Sequence, residues 1–170
     1  MNFQFYVEKL FASRSFEDFK KEFPKAICVS GFFVFDLENE KKPDNKQHFD
    51  YYDKETDKLY SFKLEDDCNR ILIEVPVNAP KLEEIGINYN FDFDEIESLI
   101  RREMEEKKIT SKIQKILVSM QNLKGKDYLV GTIFISGFGI IQTTIDINEM
   151  KIKDFEKKSF LDMMRVIKKD

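Results

Sequence analysis

The apolar positions of this chain follow two periods. Phe3, Tyr6, Val7, Leu10 and Phe11 recur at helical spacing and predict a first helix. Ser15 is placed to cap a short second helix that carries Phe16, Phe19 and Phe23 on one side and ends at Pro24. Residues 27–38 predict the first strand, apolar on both sides over 32–35, with Phe33 and Phe35 on one face and Phe32 and Val34 on the other. A polar loop over 39–47 follows. Three more short strands come next, over 49–52, 58–65 and 70–77, with turns at 54–57 and 66–69. Pro76 and Pro80 close this antiparallel meander.

Helical spacing then returns. Asp94 with Glu97 three residues on reads as a capping box opening a helix with the stripe Ile96, Leu99, Ile100 and Met104. Glu97/Arg101 and Glu103/Lys107 stand at i,i+4 on its outer side. Ser111 and Gln114 repeat the capping spacing, and Ile113, Ile116, Leu117 and Met120 predict a further helix ended by Gly125. Residues 128–145 form an eighteen-residue stretch without charge. A membrane helix needs about 20 apolar residues. Gly131, Gly137 and Gly139, with Thr132, Ser136, Gln142, Thr143 and Thr144, make this one poor helix material. Ile140, Gln142, Thr144 and Asp146 alternate with Ile141, Thr143, Ile145 and Ile147, so the stretch predicts a β-hairpin turning at Gly137-Phe138-Gly139 and no membrane span. Ser159 opens a last helix with Phe160, Leu161, Met164 and Ile167 as its apolar face. The expectation is a single α+β domain over residues 1–170, of order αα-ββββ-αα-ββ-α, around an antiparallel sheet of about six strands. No internal repeat or linker is visible.

Composition narrows the class. A 170-residue chain buries about 70% of its unfolded surface and builds a core without disulfides or metal. Cys28 and Cys68 fit no metal spacing and, with no secretory leader visible, suggest a reducing, cytoplasmic setting. The net charge of −4 argues against binding a nucleic-acid backbone, which requires a basic stripe. Residues 36–67 carry eleven acids against six bases, and residues 151–170 seven bases against four acids. The basic end suits an acidic partner or membrane surface or, as a solvated helix face with Arg165, Lys168 and Lys169, the negative C-terminus of that helix.

Candidate chemistry is sparse. His48 beside Asp50 is the single histidine and reads as a surface residue of a polar loop. Cys28 alternates with apolar neighbours as a small hydrophobe, and Cys68 lies in an Asp-rich turn that disfavours a thiolate. Asn88-x-Asn90-x-Asp92-x-Asp94 imitates the opening of a calcium loop, but Phe93 stands where glycine is needed and Leu99 where glutamate is needed. Asp53-x-Glu55-x-Asp57 fails in the same way at Lys58 and Leu64. No phosphate-loop, dinucleotide, zinc-helix or nucleophile-elbow motif is present. The expectation is therefore no catalytic, cofactor or metal set. The competing reading is a small enzyme or ligand-binding protein whose cleft uses carboxylates such as Asp50, Asp53 or Asp92, and a third is a subunit of a larger assembly.

What remains is apolar surface. Phe32 and Val34 on one strand, with Val130 and Phe134 on another, lie on the second face of the sheet and need a cover. The chain's own helices, a second subunit or a client segment would each supply one. These four are the partner-binding candidates, and a homo-oligomeric, non-enzymatic protein-binding module is the expected function.

The order helix, strand meander, helix, strand pair, helix in an acidic chain of this size resembles the type III secretion chaperones and the bacterial sensory-transduction regulators of the YbjN type. The most specific part runs over residues 116–164: an apolar helix, then Gly125-Lys126-Asp127-Tyr128-Leu129 entering a hairpin, a second strand with Asp146, and a closing helix with Phe160 and Met164. The resemblance implies a non-enzymatic, dimeric protein that holds extended or helical client segments on its surface.

Overall fold

The computed structural model describes residues 1–39, 41–75 and 81–159. Its frame is one antiparallel sheet of eight strands in the order β4-β3-β2-β1-β5-β6-β7-β8. The strands are β1 (Ile27–Asp36), β2 (Lys46–Asp53), β3 (Lys58–Lys63), β4 (Asn69–Ile73), β5 (Ile113–Leu123), β6 (Lys126–Ile135), β7 (Gly139–Asp146) and β8 (Lys151–Ser159). The helices are α1 (Phe3–Phe11), α2 (Arg14–Glu22) and α3 (Phe93–Glu106). Helices therefore precede each of two four-strand meanders. Exchanging the meanders turns the sheet order into its own reverse, so the architecture repeats although no sequence repeat is visible.

All three helices of the described residues lie on one face. In α1, Phe3, Tyr6, Val7 and Leu10 form one buried stripe, and the Asn2 side chain caps the helix by accepting from the Gln4 N–H at 2.8 Å. The Phe3 ring meets Phe33 and Phe49 edge-on, with centroids 5.9 Å apart in both pairs. Phe19 of α2 packs edge-on to Tyr60 and Phe62 at 5.2 and 5.0 Å. Phe93 of α3 sits 4.7 Å from Phe33 and 4.8 Å from Phe35. Residues 81–92 join the halves without helix or strand and are tied down by side chains. Buried Asp127 accepts from the Gly86 N–H and the Tyr89 hydroxyl, and the Gln4 amide donates to the Ile87 and Tyr89 carbonyls.

The α+β class and the antiparallel sheet agree with the sequence reading, as does the uncharged hairpin, now β6 and β7. Three expectations are corrected. The helix expected over 111–120 is β5, so the sheet has eight strands rather than about six. Ile116, Val118 and Met120 point into the core while Lys115, Leu117, Ser119 and Gln121 face away, and β5 pairs with β1 on one side and β6 on the other. Apolar residues at 113, 116, 117 and 120 satisfy a helical stripe, but two flanking strands supply hydrogen bonds along the whole segment and decide the conformation. Gly125 follows Lys124 in a two-residue hairpin turn, both with positive φ (84° and 56°), and does not end a helix.

The second correction is β8, which the sequence reading missed. Its nine residues include six charged ones, a composition that suits an edge strand. Ser159 is the last residue of this strand; the expected helix over Phe160, Leu161, Met164 and Ile167 lies outside the described residues. The third concerns caps. Ser13, not Ser15, caps α2, and Asp92 with Glu95 forms the capping box of α3 two residues before the expected pair. The N-terminal ammonium 2.6 Å from the Asp92 carboxylate adds a reason for the earlier start.

Candidate functional site: the open face of the sheet

Directly paired residues share a face of a sheet, so the register assigns every side chain. Gly31, Phe33, Val118, Leu129, Ile133 and Ile141 belong to the helix-covered face. The opposite, open face carries no described helix or strand. All four candidates from the sequence stand on it. Phe32 lines up with Ser119 and Val130, Val34 with Leu117 and Thr132, and Phe134 with Lys115 and Ile140. Phe32, Val130 and Phe134 are half-buried, and Val34 is buried.

Two members of this patch were missed. The apolar spacing puts Leu117 in a helical stripe, and its place in the patch emerges only when β5 is read with period two between β1 and β6. Ile140 was assigned a strand side, but its pairing with Phe134 depends on the hairpin register. An apolar hollow of about 400 Å³ at the β6–β7 end is lined by Phe134, Phe138 and Ile140, with Gln114 at its side. Phe138 is 82% exposed at the hairpin tip and has φ of 59°. Gly137 and Phe138 take the two left-handed positions of that turn. Gly139 does not, and is required for space: a Cβ there would lie 2.7 Å from Ile135. A bulky residue at positive φ is uncommon and costs on the order of 1 kcal/mol or more. An exposed ring in that strained position contributes little to folding.

The polar part of the open face centres on Asp50 of β2. Its neighbours are His48 on the same strand, with Nε2 3.8 Å from Oδ2, and Ser61 directly across on β3. His48 is in a strand rather than the expected loop, because β2 starts at Lys46, and its ring stacks on Phe32 at 4.9 Å. Asp50 Oδ1 is buried without a hydrogen-bond partner. Burial raises the Asp50 carboxyl above its ordinary range, and the adjacent His48 partly offsets this.

The three acids named for a cleft serve separate parts of the molecule. Asp50 is on the open face, Asp53 accepts from the Thr56 N–H and hydroxyl in the β2–β3 turn, and Asp92 caps α3. Cys28 is buried on the covered side, its thiol pushed up to about 12 by burial, and Cys68 is buried against the Lys9 carbonyl. Among the described residues no cluster of three or more His, Cys, Asp or Glu could hold a metal ion, and no helix is long and apolar enough to cross a membrane.

No family model, curated protein or solved structure matches this chain.

Proposed function

We propose that this chain is a cytoplasmic, non-enzymatic binding module, chaperone-like in holding a protein segment against the open face of its sheet. The observation that carries the reading is the gathering of Phe32, Val34, Leu117, Val130, Phe134 and Ile140 into one patch across four adjacent strands, on the face without a described helix. A sheet face without a described helix, with half-buried Phe and Val flanked by Ser and Thr, suits an amphipathic segment laid across the strands. Phe138 extends the apolar surface at one end.

The reading is tested by a photo-crosslinking residue at Val130 in native extract. A specific protein captured there, absent from the same residue placed at exposed Lys124 and lost on Phe134→Glu, is the expected result. Equal capture at both positions removes the proposal. The competing carboxylate-lined cleft requires acids that converge on one substrate, whereas Asp50, Asp53 and Asp92 serve three different elements.

A further inference from the structure

The two ends of the sheet have opposite chemistry. When a strand pairs antiparallel with its own copy about a two-fold axis, residues equidistant from the centre face each other. In β8 every such register centred from Ile152 to Lys158 sets like charges opposite each other. Centred on Phe155, Asp154 faces Glu156 and Lys153 faces Lys157; centred on Ile152, Lys151 faces Lys153; the other centres are themselves charged. Like charges directly opposite destabilise a strand pair, so β8 is a guarded edge.

β4 has no such guard. Centred on Leu72, Leu72 meets its own copy, Ile71 meets Ile73, and Arg70 meets Glu74. Leu72 is 58% exposed and Glu74 is exposed, while Arg70 lies over the Phe19 and Tyr60 rings with one nitrogen on Glu22. Among the described residues no backbone group pairs with the outer edge of β4. The apolar residues face apolar ones and the charges are complementary.

We propose that β4 is a self-association edge, taking the β4 strand of a second copy antiparallel about Leu72. Facing residues share a sheet side, so the helices of both copies lie on one side and their open faces merge into one surface across twice eight strands. This pairing stands whether or not the open face holds a client. A five-residue edge buries well under the roughly 800 Å² per partner of a standard interface. The dimer therefore belongs to the weak, transient class of association.

Sedimentation equilibrium from about 5 to 500 µM tests this, together with amide hydrogen exchange on the same samples. The mass is expected to rise from 20.3 kDa toward twice that value, with exchange slowing over residues 69–73 and unchanged over 151–159. Leu72→Lys, which sets like charges on the axis, raises the dissociation constant at least tenfold. Glu74→Arg weakens association, and adding Arg70→Glu to it restores part of the loss. Phe134→Ser on the open face leaves the constant unchanged. A monomer at every concentration, or a dimer that survives Leu72→Lys but is lost in Phe134→Ser, overturns the proposal.

Discussion

The two faces of this sheet are built from the same strands, yet they obey different rules. On the covered face, Phe33, Phe49, Phe62, Leu129, Ile133 and Ile141 are at most 1% exposed and interlock with Phe3, Phe19 and Ile96 from the helices. On the open face the neighbouring residues alternate between Phe, Val or Leu and Ser, Thr or Lys, and most keep some contact with solvent. The first arrangement is set by folding, because close-packed interiors register the loss of a single methylene. The second leaves Phe32, Leu117, Val130 and Phe134 only half-buried.

The sharpest way to break this contrast is truncation. Phe62→Ala beneath α2 is expected to cost ~3–5 kcal/mol in urea unfolding, against about 1 kcal/mol for Phe134→Ala on the open face. Similar losses at the two sites would make the faces equivalent. Next is Gly131→Ala. The added Cβ would lie 2.7 Å from Thr143 Cγ2, a side chain fixed by donating to the Asp154 carbonyl, so a loss of ~1–3 kcal/mol is expected on the covered face.

Asp50→Asn sharpens the comparison from the other side. The folded-state pKa of Asp50 is raised, so its folded form favours the proton, and its contribution to stability is greatest at low pH and is lost as pH rises through the folded value. Removing the charge is expected to stabilise the protein at pH 7 by about 1 kcal/mol, or roughly 2–4 °C in Tm, and to flatten the pH dependence. A fall in stability at pH 7 would mean that the charged carboxylate is satisfied. The smallest effect belongs to Val130→Thr, which keeps the β-branched shape on a half-buried position and should shift unfolding by about 0.5 kcal/mol or less while weakening client capture.

The parts of the fold that were legible from sequence have local causes. The stripe of α1 and the alternation of β6 and β7 are written in adjacent residues, and the turn at Gly137 needs only a left-handed backbone. β5 was misread because its apolar spacing fits both periods and the deciding contacts lie elsewhere: β1, far away in sequence, supplies one row of hydrogen bonds, and β6 the other. β8 escaped notice for the opposite reason, since a strand at the rim is free to be charged. The candidate patch was half legible. Phe32, Val34, Val130 and Phe134 follow from alternation alone, whereas joining them required Leu117, whose side chain faces outward only once β5 is a strand.

The seam between β1 and β5 has a consequence for assembly. It is the one strand pairing in the sheet between segments that are not consecutive in the chain; the other six are hairpin neighbours. Short-range ordering can therefore build two separate ribbons, each bringing its own helical backing, before a late, slow closure zips them at the centre. A polypeptide severed between residues 75 and 81 would present two fragments with matching free margins, able to find each other as a pair of small proteins would.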